Sequence, residues 1–152
     1  MVTAHNKLIR FIKIRNGMHD PHSSQNIIFF DGVCNLCNHW VDFLIRKDKR
    51  NVFLYAPLQS STADRLLSNK DTTFMSSVIY YTNGKVFYKS DAVLQLLWDL
   101  GGLWKASIVL KLIPRFLRNF IYNWVAQNRY RWFGKKETCR LPTVEEREKF
   151  LD

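Results

Sequence analysis

Acidic residues are missing from two long parts of this chain. Residues 1 to 17 carry Lys7, Arg10, Lys13 and Arg15, and residues 101 to 136 carry Lys105, Lys111, Arg115, Arg118, Arg129, Arg131, Lys135 and Lys136, with no acid in either stretch. Together they hold 12 of the 23 basic residues, while the remainder, with 11 basic and 13 acidic residues, is close to neutral. The net charge of +10 therefore belongs to two segments that are separable from the middle of the chain. Long apolar runs are missing too. None reaches the roughly 18 uninterrupted residues of a membrane span. Near the amino terminus, HNKLIRFIKIR interrupts each apolar stretch with Lys or Arg before it attains the length of a secretory h-region. The expectation is a soluble, cytoplasmic protein. Cysteine is scarce and odd in number, three in all, which does not suit the even disulfide framework of a small secreted scaffold. What remains is one domain's worth of chain, 152 residues of which 47% are hydrophobic, enough for a sizeable core.

Two of the three cysteines lie close together in IIFFDGVCNLCNHW, residues 27 to 40. Ile27, Ile28, Phe29 and Phe30 form a continuous apolar run of β-branched and aromatic residues, suited to a strand buried on both faces. Asp31 and Gly32 end it. Leu36, Trp40, Val41, Phe43, Leu44 and Ile45 then recur with the 3.6-residue period of a helix, which places Cys34 and Cys37 at that helix's first turn. A helix amino terminus presents unpaired N–H groups and partial positive charge, and both stabilise a thiolate. Cys34 is expected to be the more exposed sulfur and the nucleophile, and Cys37, one turn further in, the resolving thiol. Asp31, three residues before Cys34, is a candidate acceptor for the Cys37 proton, or else a cap for the helix. Cys139 is a possible accessory thiol.

The chain in order reads β-α-β-α-β-β-α. The basic run RKDKR closes the first helix in keeping with its dipole, and a second strand follows at Val52 to Ala56. A helix should run from about Ser61 to Leu67, then a polar loop SNKDTT. Asn83-Gly84, between a β-rich run at Ser77 to Thr82 and KVFYKS, predicts a two-residue hairpin turn. Ser90 or Asp91 can cap the next helix, AVLQLLWDL, which stops at Gly101-Gly102. That order is the minimal thioredoxin-like α/β domain, a mixed four-stranded sheet with helices on both faces. Residues 1 to 24 read as a basic amphipathic extension, and residues 25 to 152 as the domain, with a helical segment from about 103. There Trp104 to Ile113 is helical and Pro114 opens a last helix. Phe116, Leu117, Phe120, Ile121, Trp124 and Val125 form one apolar face expected to be core, opposite Arg115, Arg118, Asn119, Tyr122 and Asn123. Thr143 and Glu146 are spaced as a capping box for a short terminal helix.

With DxxCxxC at Asp31, Cys34 and Cys37, and with SDAVL and NRYRWFGKKETCRLP further on, the sequence resembles the DCC family of predicted thiol-disulfide oxidoreductases. The resemblance spans roughly residues 26 to 151. It implies a thioredoxin-like fold and dithiol/disulfide exchange with no cofactor. A disulfide-containing substrate, either a protein or a small thiol compound, and an external thiol reductant are implied as partners. One feature usual in thioredoxin-like enzymes is missing, a cis-proline before the third strand. The corresponding stretch is TTFMSSV, where Met75 or Ser76 takes that place and a trans peptide is expected.

Three other readings compete. Cys34, Cys37, Cys139 and His39 could supply four zinc ligands, although Cys139 lacks the paired motif that zinc sites present. FFDGVCN is similar to the nucleophile loop of haloacid-dehalogenase phosphatases, but Val33 stands where their second Asp is needed. The eight aromatic and eight basic residues between 101 and 136 could bind nucleic acid or an anionic membrane surface.

Overall fold

Ile27 and Phe29 point to one side of their strand and Ile28 and Phe30 to the other, and all four are at most 1% exposed, so both faces of this strand must be covered. The computed structural model, which describes residues 25–67, 77–139 and 141–151, covers them with helices. Strand β1 (Asn26–Phe30) leads into helix α1 (Asn35–Lys47), β2 (Phe53–Pro57) and α2 (Ser61–Leu66). The hairpin β3 (Ile79–Thr82) and β4 (Lys85–Tyr88) then runs into α3 (Lys89–Leu100). The sheet order is β2-β1-β3-β4, with β2 parallel to β1, β3 antiparallel to β1 and β4 antiparallel to β3. This is the mixed four-stranded sheet of a thioredoxin-like fold, as the element order predicted.

The two sides of the sheet carry separate cores. Ile28, Phe30, Phe53, Tyr55 and Tyr80 pack with Val41 and Leu44 of α1 and with Ala92, Leu96, Leu97 and Leu100 of α3. Ile27, Phe29, Ala56, Ile79 and Tyr81 pack with Leu58, Ala63 and Leu67 around α2. Burial of each large apolar side chain contributes about 1.5–3 kcal/mol, so these two layers dominate the stability that holds β1 central. At the hairpin, Asn83 and Gly84 adopt positive φ (49° and 72°), as a two-residue turn matching the strand twist requires.

Several expectations shift in detail. The cap position of α3 is Tyr88, with no side-chain cap bond, because β4 passes directly into the helix. Ser90 instead donates to Asn119 Oδ1 at 2.6 Å, and Asp91 pairs with Arg115 and Arg118. The segment after Gly101 is a 3₁₀ helix (Gly102–Leu112). The terminal segment makes the expected capping-box bond from Thr143 N–H to Glu146 Oε2 at 3.1 Å, followed by one 3₁₀ turn (Arg147–Lys149) that sets Phe150 against Phe30 and Tyr55. Residues 1–24, the SNKDTT loop, Met75 and Ser76 lie outside the described residues.

The largest difference concerns the last long helix, α4 (Arg115–Phe133), which begins immediately after Pro114. Its apolar face was expected to be core, yet Phe116, Phe120 and Trp124 are 77%, 70% and 55% exposed, and Arg129 is its one buried residue among those described. The polar side turns inward because partners wait there. Arg118 donates to Asp91 (3.1 Å), Asn119 accepts from Ser90, Tyr122 Oη accepts from Val78 N–H (2.8 Å), and Arg129 reaches Asp31 (3.0 Å).

Candidate active site

At the carboxyl end of β1 the chain turns through Asp31, Gly32 and Val33 into α1. The turn is fixed by Cys34 N–H to Asp31 C=O (3.2 Å) and by the buried Asn38 amide donating to Gly32 C=O (3.1 Å). Cys34 is itself the N-cap of α1, and its sulfur accepts from the Cys37 N–H at 3.5 Å. A sulfur thus occupies the place where a Ser or Asp oxygen ordinarily satisfies the first-turn donors. The hydrogen bond from the Cys37 thiol is the largest influence drawing the Cys34 thiol down from 9.0 to about 6. Burial opposes this, while the Cys37 N–H and the positive charge of Arg129 add to it. Cys37 moves the other way, far above an ordinary thiol, because its proton is shared with Cys34 and its surroundings are apolar. The two sulfurs behave as one pair holding one proton, with the anion favoured on Cys34.

Asp31 is buried, at 4% exposure, and ringed by donors. Its Oδ1 accepts from Val33 N–H (3.2 Å) and from the Gln59 amide (3.4 Å). Its Oδ2 receives Arg129 Nη2 at 3.0 Å and the Tyr130 hydroxyl. Arg129 also donates to Ala126 C=O at 3.1 Å and lies over the Tyr130 ring. A guanidinium is always charged, so Arg129 sets a permanent positive charge beside the sulfurs that favours the Cys34 thiolate, an effect that Asp31 opposes in part. Neither Arg129 nor Tyr130 stood out from the sequence as a site residue. Arg129 read as one of eight basic residues in an acid-free stretch, and the only sign of its role was its place in NRYRWF, the block that carries the family resemblance.

The expectation that Cys34 is the more exposed sulfur is corrected. Cys34 is 0% exposed, whereas Cys37 is partly exposed. The cover is the segment after α4: Asn35 N–H bonds Gly134 C=O (3.4 Å), Lys136 N–H bonds Val33 C=O (2.8 Å), and Lys135 forms a β-bridge with Cys34. Gly134 makes this strap possible, since its φ of +80° favours glycine and an added Cβ would sit 3.2 Å from Asn35 Nδ2.

Cys139 arrives on the same strap. A Cβ on Gly32 would meet its Sγ at 3.1 Å and its Cβ at 3.2 Å, and the thiol is 3.9 Å from Gln59 Oε1. The structure therefore brings Cys139 to the turn that carries Asp31, with all three cysteines free. We expect Gly32→Ala to push this strap outward. Overpacking should lower stability by about 1–3 kcal/mol in denaturant unfolding, and Cys139 should alkylate faster than in the wild type.

His39, proposed as a fourth zinc ligand, is exposed and contacts Asn35 C=O at 3.0 Å. Among the described residues, no group of three or more His, Cys, Asp or Glu side chains is arranged to hold a metal ion. Cys37 borders a largely apolar cavity of about 420 Å³, walled by Trp40, Val93, Ile113, Val125 and Arg129 among others. A ligand or peptide group entering there would be held mainly by apolar contact, with Ser90, Arg118, Tyr122 and Arg129 as the polar groups of the wall.

The chain resembles an uncharacterised protein of Bacillus subtilis, YuxK, at 37% identity over 127 residues, covering 82% of this chain and 93% of the relative. It also resembles a DCC family protein of Arabidopsis thaliana named as chloroplastic, at 36% identity over 118 residues, covering 76% of this chain and 69% of the relative. No solved structure matches significantly. The family model that matches residues 28–135 takes in Asp31, Cys34, Cys37, Arg129 and Tyr130 and stops short of Cys139. With that match over most of the chain, a thioredoxin-like sheet and a CxxC pair at the first turn of α1, this protein belongs to the DCC1-like thiol-disulfide oxidoreductase family.

Proposed function

We propose that this protein reduces substrate disulfides through Cys34 and Cys37. The observation that supports it most is the Cys34 sulfur at the N-cap of α1, accepting the Cys37 N–H and drawn down to about 6. The Cys34 thiolate attacks one sulfur of the substrate disulfide, forming a Cys34 mixed disulfide and expelling the other sulfur as a thiolate. Cys37 then attacks the Cys34 sulfur, expelling the second substrate sulfur, and its one proton passes to one of the two departing thiolates, while the other takes a proton from water. Two electrons move from the protein pair, which becomes the Cys34–Cys37 disulfide, to the substrate, and an external dithiol of small-molecule or protein origin restores the reduced pair. Asp31 serves this sequence by anchoring Arg129 rather than by accepting the proton, because its carboxylate oxygens already face Arg129, Tyr130, Val33 and Gln59. Substrate reaches Cys34 from the Cys37 side, where the apolar cavity opens, with the Gly134–Lys136 strap lifting from the turn.

A redox titration in glutathione or dithiothreitol buffers, read by mass after alkylation, tests this reading. The expected result is a two-electron transition confined to the peptide carrying Cys34 and Cys37, within the range of about −120 to −270 mV spanned by thioredoxin-like proteins. Metal is assayed in the same sample. Stoichiometric zinc that shields all three cysteines from alkylation would replace exchange with a metal site.

A further inference from the structure

Helix α4 is mounted inside out. Arg118, Asn119, Tyr122 and Arg129 tie its polar side to Asp91, Ser90, Val78 and Asp31, and this leaves Phe116, Phe120 and Trp124, four residues apart along one stripe, turned to solvent. The preceding 3₁₀ segment extends the exposed apolar surface with Leu103 at 94%, Val109 at 61% and Leu112 at 84% exposure. An exposed apolar surface of this extent marks an interaction site. Lys105 and Lys111 on the 3₁₀ segment and Arg115 and Arg131 on α4 belong to the same two elements, and no acidic residue occurs between residues 101 and 136.

We propose that this face docks on the surface of an anionic lipid bilayer. Aromatic and aliphatic side chains on one stripe, with basic residues on the same elements, give the pattern of a helix lying in the interfacial plane. The apolar stripe enters the headgroup boundary while the basic side chains reach anionic phosphates. A second copy of the chain would satisfy the apolar surface only by placing these same-sign charges opposite each other. Nucleic acid would leave Leu103, Val109 and Leu112 without apolar contact. Residues 7 to 15, KLIRFIKIR, have the same basic amphipathic character, so they match the bilayer and would repel this face. No helix among the described residues is long and apolar enough to cross a membrane, so the contact is with the surface. Leu110 and Ile121, at 47% and 53% exposure, belong both to this side and to the cavity wall beside Cys37, so docking brings the thiol pair to the bilayer.

Flotation of the full chain with phosphatidylcholine vesicles, with and without about one third phosphatidylglycerol, tests the proposal. The wild type should float with the anionic vesicles, bind neutral ones less, and lose part of its binding as salt rises. Phe116→Ser/Phe120→Ser/Trp124→Ser should lower the partition coefficient by about tenfold or more, while its melting temperature and disulfide exchange in solution stay at wild-type values. The proposal is overturned by wild-type protein that stays with the unbound fraction, or by a triple variant that floats as before. The same holds if only removal of residues 1–24 abolishes flotation. A wild-type dimer in light scattering that the triple variant converts to monomer would assign the face to a second copy. Loss of oligonucleotide binding in the triple variant, with no flotation of the wild type, would assign it to nucleic acid.

Discussion

Cys34→Ser should abolish disulfide exchange, and Cys37→Ser should accumulate a mixed disulfide on Cys34. The asymmetry follows from where the single shared proton sits. With Cys34 drawn down to about 6, the thiolate is the favoured form there at pH 7. In Cys34→Ser the remaining Cys37 thiol loses the hydrogen bond and charge of the Cys34 sulfur but keeps the burial that raises it, so it stays mostly protonated at pH 7, and exchange should fall by about a hundredfold or more. In Cys37→Ser the attack proceeds and resolution does not, which mass spectrometry reads directly as an adduct with the substrate thiol. Equal loss in both variants without an adduct would remove Cys34 from its role as nucleophile.

The same proton governs pH dependence. Iodoacetamide labelling of Cys34 should reach half its maximum near pH 6 and fall about tenfold per unit below that, whereas an ordinary thiol does so near 9.0. Stability of the reduced protein carries the matching signature. Between about 6 and 9.0 the unfolded chain holds a proton on Cys34 that the folded chain lacks, so reduced-state stability rises with pH across that window and is lost as pH falls through 6. Above 9.0 the sign reverses, because the unfolded Cys37 ionises while the folded one keeps its proton. The oxidised protein has neither thiol and should lack both slopes, so urea unfolding of the two forms against pH separates the effect from every other titrating group.

Arg129→Met should have the largest effect on stability. The Arg129 and Asp31 side chains are 4% and 5% exposed, so removing one partner strands a buried charge, at about 3–5 kcal/mol. For a chain of this length that is a fall of roughly 10 °C in melting temperature. A structural role alone would end there. Because the guanidinium also favours the Cys34 thiolate, the labelling midpoint should move above 6 in the same variant. Arg129→Lys, which keeps the charge without the planar fork, should hold the midpoint closer to wild type while recovering part of the stability. Adding Asp31→Asn to Arg129→Met should restore much of the stability, since no charge is then left unpaired. A midpoint unmoved in Arg129→Met, with stability lost, would make Arg129 a purely structural residue.

The chain's local patterns sufficed for the sheet and for the position of the cysteines. Four consecutive apolar residues ending at Asp31-Gly32 can be satisfied only by a strand covered on both sides, and Asn83-Gly84 admits little besides a tight hairpin. CxxC after such a strand places one sulfur at a helix N-cap, where the structure finds Cys34. These features rest on interactions within a few residues, which a linear pattern records. The cover over Cys34 rests instead on residues 134–136, a hundred positions away, and so the exposure of the two thiols was read in the wrong order.

Helix α4 marks the boundary most clearly. Its 3.6-residue period establishes that Phe116, Phe120 and Trp124 share one stripe and that Arg118, Tyr122 and Arg129 lie away from it. The period carries no information about which side faces the domain. That was decided by Asp91, Ser90, Val78 and Asp31, whose unsatisfied donors and acceptors on the inner surface outweigh the apolar burial that the stripe forgoes. By itself the sequence determined the β-α-β-α-β-β-α order, the hairpin and the CxxC at a strand-to-helix junction, because each follows from short-range geometry. Only the tertiary structure decided that Arg129 pairs with Asp31 beside the thiols and that the aromatic stripe faces outward, because both depend on partners from distant parts of the chain meeting in a buried, low-dielectric place.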